Sequence, residues 1–269
     1  MIAFPNAKIN IGLNIVGKRR DGFHDIASCF YPVDWADALE ILPADELSFT
    51  SSGLPIPGDI DSNLCLRAYQ LLAKDLALPP VSIHLLKAVP IGAGLGGGSA
   101  DAAFTIKALN QLFSLDISPE QQQNYARQLG SDCAFFIENK PMYCFGKGDE
   151  FEEIALRLTA NWIVLVNPGL YISTAEAYAG VAPQRLKVDL RELLQHPIEQ
   201  WRDFVINDFE ENLFKNHPVL PQIKNRLYDL GAQYASMSGS GSTVYGIFNQ
   251  EPHLANNFRN STVWKGELT

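Results

Sequence analysis

The chain has 269 residues, 46% hydrophobic and 19% charged, a balance that suits a globular protein with a substantial core and excludes disorder, low complexity and repeat architectures. With 21 Lys plus Arg against 30 Asp plus Glu, the net charge of −9 repels nucleic acid and anionic membranes, so an anionic partner must be small enough for a local site. No apolar run reaches spanning length, and the first residues lack a basic stretch followed by an apolar core, which together predict a cytoplasmic protein.

Ile9, Ile11, Leu13 and Ile15 alternate with Lys8, Asn10, Gly12 and Asn14, the period of a strand with a core face and a polar face. Periodicity alone favours a solvated polar face. Leu39, Ile41, Leu47 and Phe49 predict further strands around a turn, and residues 51–58 a loop. A helix starts near Ser62, with Leu64, Ala68, Leu71, Leu72 and Leu76 on one face and Asn63 in a position to cap it. Val81, Ile83, Leu85 and Val89 then alternate as a half-buried strand does, and Ala102, Ala103, Ile106, Leu109 and Phe113 recur at helical spacing.

Between that strand and that helix, residues 92–98 hold five glycines in seven positions, an entropic cost that makes sense where something approaches the backbone closely. Ser99 is expected to cap the helix, whose first-turn N–H groups and positive dipole end would face the loop as an anion cradle. Gly92 to Gly97 formally satisfies G-x-G-x-x-G, with Asp116 about 20 residues on, but the segments before it do not form the repeating βαβ pattern of a dinucleotide fold. A P-loop is excluded, because no Lys-Ser or Lys-Thr pair follows the last glycine.

Residues 121–129 predict another helix, stopped by Gly130, after which Asp132 taken alone is a cap or turn residue. Trp162 to Val166 is a buried strand ended by Asn167-Pro168-Gly169, and Ser173-Thr174-Ala175-Glu176 is a capping-box signature. Helical patterns cover 190–194, 198–205, 208–213 and 219–230, and Ser236 to Thr243 leads into the strand Val244 to Phe248. Cys29, Cys65, Cys133 and Cys144 are scattered with no metal-binding spacing, which predicts buried thiols rather than disulfides or a zinc site.

The stretch P-x-G-A-G-L-G-G-G-S-A-D-A-A resembles the central motif of the GHMP small-molecule kinases. That resemblance implies that Pro90, Ile91, Gly92, Ala93, Gly94, Leu95, Gly96, Gly97, Gly98, Ser99 and Ala100 wrap the phosphates of ATP. It also places Asn63 and Lys87 near the adenine and makes Ser99 a candidate Mg²⁺ ligand. Ala7-Lys8-Ile9-Asn10 together with Arg20-Asp21-Gly22-Phe23-His24 is similar to the opening of those GHMP members that phosphorylate 4-diphosphocytidyl-2-C-methyl-D-erythritol. By that likeness Lys8 and Asn10 lie at the reacting hydroxyl, Phe23 and Tyr178 stack on the cytosine, and His24 hydrogen-bonds it. Phe23 stands where Tyr is common, so the stacking face survives without the phenolic hydroxyl.

L-G-x-D-x-x-F resembles the segment that supplies the catalytic Asp, which assigns that role to Asp132, while read alone Tyr178 fits core packing nearly as well. Ser236 to Thr243 resembles the third GHMP motif, with Ser242 where Pro is more usual, and Gly239 and Gly241 as a second anion nest for a substrate diphosphate. The implied fold is α+β, a two-domain GHMP kinase with an N-terminal ATP domain like domain 2 of ribosomal protein S5 over 1–157. A ferredoxin-like C-terminal substrate domain follows over 158–269, with the active site expected in the cleft. The implied partner is a small molecule, cytidine-diphosphate-linked methylerythritol, with neither nucleic acid nor membrane involved.

Overall fold

The structure, a computed structural model, describes residues 1–184, 187–255 and 257–269. The chain runs through β1 (Ile2–Ala3), β2 (Asn6–Lys18), β3 (His24–Ala36), β4 (Ala38–Pro43), β5 (Ser48–Gly53), α1 (Leu64–Asp75), β6 (Val81–Lys87), α2 (Gly97–Phe113), α3 (Pro119–Leu129) and α4 (Phe135–Glu138). It continues through β7 (Met142–Phe145), β8 (Glu150–Glu153), β9 (Trp162–Asn167), α5 (Thr174–Tyr178), α6 (Leu190–Leu193), α7 (Glu210–Asn216), α8 (Val219–Asp229), β10 (Tyr234–Met237), β11 (Val244–Phe248) and β12 (Thr262–Glu267). These elements fall into two compact units, one of Met1–Ala7, Trp35–Ile91 and Gly96–Lys140, the other of Lys8–Asp34, Gly92–Leu95 and Pro141–Thr269.

In the first unit a sheet of order β1-β4-β6-β5 accompanies the mutually packed helices α1, α2 and α3. Val81, Ile83 and Leu85 of β6 are fully buried, as their alternation predicts. Leu47 lies just before β5, and the strands carrying Leu39, Ile41 and Phe49 do not pair around their turn: β4 runs antiparallel to β6, and β5 joins the far side of β6 in parallel register. The intervening β6 supplies ladder partners to both, which a local reading cannot foresee. Asn63 caps α1 by accepting from the Cys65 N–H, and α3 opens with a complete capping box between Ser118 and Gln121 plus Pro119 in its first turn. Gly130 ends α3 in extended backbone, φ 176°, rather than in the left-handed conformation typical of a helix-ending glycine.

The second unit holds the sheet of order β10-β11-β9-β12, with α8 packed on β10 and β11, and the sheet β2-β3-β7-β8. Every residue of β2 from Lys8 to Ile15 is buried, so its polar face is not solvated, contrary to what periodicity alone favours. Period 2 distinguishes two faces but not what covers the second one. The capping signature at Ser173 is half realised: Ser173 accepts from Glu176 N–H at 3.1 Å, while the Glu176 carboxylate bonds His217 at 2.7 Å instead. The helical pattern 198–205 closes as a short 3-10 segment, Ile198–Asp203, around the buried Trp201. All four cysteines are free and buried, and among the described residues no helix is long and apolar enough to cross a membrane.

Candidate active site

Alternate glycines of the loop, Gly92, Gly94 and Gly96, adopt φ of 63°, 77° and 69°, conformations that L side chains rarely take. At Gly94 a Cβ would lie 2.0 Å from the Ser238 carbonyl oxygen, so no larger residue fits. Gly96 itself, left-handed, is the N-cap of α2, and Ser99 stands in the first helical turn rather than capping it. The run of glycines lets the helix begin earlier than a serine cap would allow. The Ser99 hydroxyl instead neighbours the Cys133 thiol and acts to lower its pKa, while burial, the larger cause, pushes that thiol up to about 11. The first-turn N–H groups of α2 lack intrahelical partners by construction and carry the positive end of the helix dipole.

Within the first unit, Asn63 and Lys87 line one cavity of about 200 Å³ together with Phe49, Ile60, Ile91 and Asp101. Lys87, 3% exposed, donates to Asp37 and, at 2.7 Å, to Asp101. Asp37 also accepts from the N–H groups of Ala88 at 2.6 Å and Val89 at 2.8 Å, which pins the chain leading into the Gly loop. Burial pushes the Asp101 carboxyl up to about 7, against the attraction of Lys87, and leaves its Oδ1 without a hydrogen-bond partner. Burial acts to lower the Lys87 pKa, and the two carboxylates outweigh it, so Lys87 is raised. Asp37 and Asp101 are site residues that pattern reading misses, because their common partner lies 50 and 14 positions away. Asp132 follows α3 half-buried in the same unit, and its Oδ1 accepts from Ser131 Oγ at 3.3 Å.

Within the second unit, Lys8 and Asn10 are 3% and 2% exposed, and the Lys8 ammonium donates to Asn10 Oδ1 and, at 3.4 Å, to the Gly94 carbonyl. It also stands 4.5 Å from the centre of the Phe30 ring. Asn10 Nδ2 donates to Ser28 Oγ at 2.9 Å, and Ser28 Oγ donates to the Gly12 carbonyl at 2.6 Å. Ser238 Oγ accepts from the Asn10 N–H at 3.2 Å and donates to the Gly94 carbonyl at 2.7 Å. A Cβ on Gly239 would lie 3.2 Å from Asn10 Oδ1 and 3.3 Å from Gly94, so Asn10, Gly94 and Gly239 are brought together. Gly241, φ 82°, tightens the turn by donating to the Ser238 carbonyl at 2.9 Å.

His24 and Tyr178 meet as stacked rings, centroids 4.7 Å apart and planes 21° from parallel, and Phe209 packs edge-on to Tyr178 at 4.9 Å. Phe23 is 59% exposed, with the Lys147 ammonium 5.4 Å from its ring. The structure thus pairs His24 with Tyr178 directly and leaves Phe23 at the surface beside a cation.

Residues 63–140 match the GHMP kinases N terminal domain and residues 189–261 the GHMP kinases C terminal domain. A 4-diphosphocytidyl-2-C-methyl-D-erythritol kinase of Cytophaga hutchinsonii is 51% identical over 94% of each chain, and one of Parabacteroides distasonis is 45% identical over 100% of each. A crystal structure of 4-(cytidine 5'-diphospho)-2C-methyl-D-erythritol kinase superposes with a TM-score of 0.85 at 30% identity, covering 99% of this chain and 98% of the other. The Methanococcus jannaschii mevalonate kinase, at 16% identity, TM-score 0.68 and coverage of 100% and 98%, shares the fold. With the Gly loop, the Lys8–Asn10 strand and near-complete coverage all in accord, the chain belongs to the GHMP kinases, ATP-using small-molecule kinases, and within them to the 4-diphosphocytidyl-2-C-methyl-D-erythritol kinase family.

Proposed function

We propose that the chain transfers the γ-phosphoryl of ATP to the 2-hydroxyl of 4-diphosphocytidyl-2-C-methyl-D-erythritol, a step of non-mevalonate isoprenoid precursor synthesis, in the cytoplasm. The 45% identity over 271 residues to a kinase named for that alcohol carries the reading. Phosphoryl transfer asks for positioning and charge stabilisation rather than a protein nucleophile, and the loop glycines, the α2 N-terminus and Lys8 are of that kind.

In this reading residues 90–100 cradle the ATP phosphates, the cavity at Asn63 and Lys87 takes the adenine, and Asp132 accepts the hydroxyl proton. Lys8 offsets charge on the phosphoryl oxygens, and Asn10 positions the alcohol. His24, Tyr178 and Phe23 hold the cytosine, and Gly239 and Gly241 offer amides to the substrate diphosphate. In this reading a nucleotide half over 1–157 and a substrate half over 158–269 divide the labour, and the N-terminal match at 63–140 and the C-terminal match at 189–261 fall one in each.

Among the described residues no three His, Cys, Asp or Glu side chains cluster as a metal cage. Mg²⁺ binds through one or two protein oxygens plus phosphates and water, and in this reading the Ser99 hydroxyl, in the first turn of α2 beside the Cys133 thiol, would be the protein oxygen that holds it. When bound there it would neutralise charge on the β- and γ-phosphates.

ADP release measured with three alcohols tests the assignment. Turnover is expected with 4-diphosphocytidyl-2-C-methyl-D-erythritol and not with mevalonate or homoserine, and the reverse order overturns it. Asp132→Asn is expected to lower turnover on the order of 10²–10⁴-fold with ATP affinity unchanged. Near-native turnover in a variant of native melting temperature would return Asp132 to a turn residue.

A further inference from the structure

Four consecutive residues of the second unit each reach a different part of its polar and aromatic surface. Backbone bonds first tie the segment to β2: Leu13 N–H donates to the Ile206 carbonyl and Asp208 N–H to the Leu13 carbonyl, both at 2.8 Å. Asn207, 3% exposed, donates from one Nδ2 to the carbonyls of Met237 and Gly239, each at 2.8 Å, while its Oδ1 accepts from the Phe209 N–H at 3.0 Å. Asp208 accepts from Asn14 Nδ2 at 3.1 Å and Ile15 N–H at 2.7 Å. Phe209, 2% exposed, supports Tyr178 edge-on, and Glu210 accepts from Ser236 Oγ at 2.9 Å and Met237 N–H at 2.7 Å.

We propose that Asn207 is a positioning residue for the acceptor substrate: its amide fixes the Gly239 turn beside Asn10 and, through Phe209, the Tyr178–His24 stack. Both amide hydrogens are spent on carbonyls of the turn and the amide oxygen on the segment that carries Phe209, so all three polar sites of the side chain are engaged. A carboxylate at this position keeps the acceptor and loses both donors, placing negative charge against two carbonyl oxygens. An aliphatic residue at 209 keeps apolar volume and removes the edge contact under Tyr178.

This inference rests on the functional reading above, and its test separates the two. Wild type, Asn207→Asp and Phe209→Leu are compared for KM of ATP, KM and kcat of the acceptor alcohol, and melting temperature. Asn207→Asp is expected to lower kcat/KM for the alcohol at least tenfold, mainly through KM, with KM for ATP within twofold. Phe209→Leu is expected to raise KM for the alcohol several-fold with KM for ATP and kcat unchanged. A folded Asn207→Asp with native KM for the alcohol overturns the proposal, as does a loss shared equally by ATP. Should Asn207→Asp show no thermal transition, Phe209→Leu decides alone, and an unchanged KM there overturns it. If the wild type phosphorylates another alcohol instead, the functional reading fails and the same comparison is made on that alcohol.

Discussion

The first unit centres its buried polarity on charge, Lys87 between Asp37 and Asp101, whereas around Asn10 and Asn207 the second sets amides and hydroxyls, Ser28 and Ser238 among them, with Lys8 beside Asn10 and the Glu210 carboxylate beside Ser236. One ammonium facing two carboxylates leaves a net negative charge in a desolvated place, so one carboxyl is driven toward protonation and one oxygen stays unpartnered. The amide and hydroxyl network has no such remainder, because each group both donates and accepts. The charged centre therefore responds to pH.

Removing the cation should break the contrast most visibly. Lys87→Met strands two buried carboxylates and is expected to cost about 3–5 kcal/mol in denaturant unfolding. A loss below about 1 kcal/mol would mean that the carboxylates neutralise or reach water without penalty. The matching change in the neutral network is Ser28→Ala, which leaves Asn10 Nδ2 without its acceptor and the Gly12 carbonyl without its donor. Its expected cost is about 1–3 kcal/mol. Equal costs for the two variants would erase the distinction between the centres.

The third effect is the most specific, because it is read as a slope against pH. The Asp101 carboxyl is raised from an ordinary 3.8 to about 7, so the folded state holds this proton more tightly than the unfolded chain. That contribution is fully present below about pH 4 and is lost as pH rises to about 7. Asp101→Asn should flatten the dependence of stability on pH in that window, by at most about 1.4 kcal/mol per pH unit. Parallel wild-type and variant melting curves between pH 4 and 7 would place the proton elsewhere.

The strand, Gly loop and helix around residues 81–113 were legible because their signals are local: alternation, five glycines, then helical spacing. The Ser99 cap was not, since Gly96 in left-handed backbone already starts α2 and hydroxyl preference cannot register that. The buried polar face of β2 was equally hidden, because Asn10 finds Ser28, Ser238 and Tyr245 at separations of 18 to 235 positions. The short strands β7, β8 and β12 span only four to six residues, too few for a period to stand out from neighbouring turns. Asn207 reads as an ordinary residue before a helix, and nothing nearby in sequence announces the carbonyls 30 and 32 positions on that it holds. Motif resemblance supplied what periodicity could not at Lys8 and Asn10, since it encodes distant neighbours implicitly.

The interleaving of the two units along the chain has a consequence for biosynthesis. The first unit is complete in sequence once Lys140 has been made, yet Asn10 of the second must wait for Ser238, 228 positions later. At roughly 5–20 residues per second that wait is about 10–45 s on the ribosome. Throughout it the apolar face of β2, Ile9, Ile11 and Ile15, precedes the late segments that tie its backbone in place, Ile206, Asp208 and Ser238. Truncation before Ser238 would leave the Asn10 N–H without its hydroxyl acceptor, although β3, the ladder partner of β2, is already made.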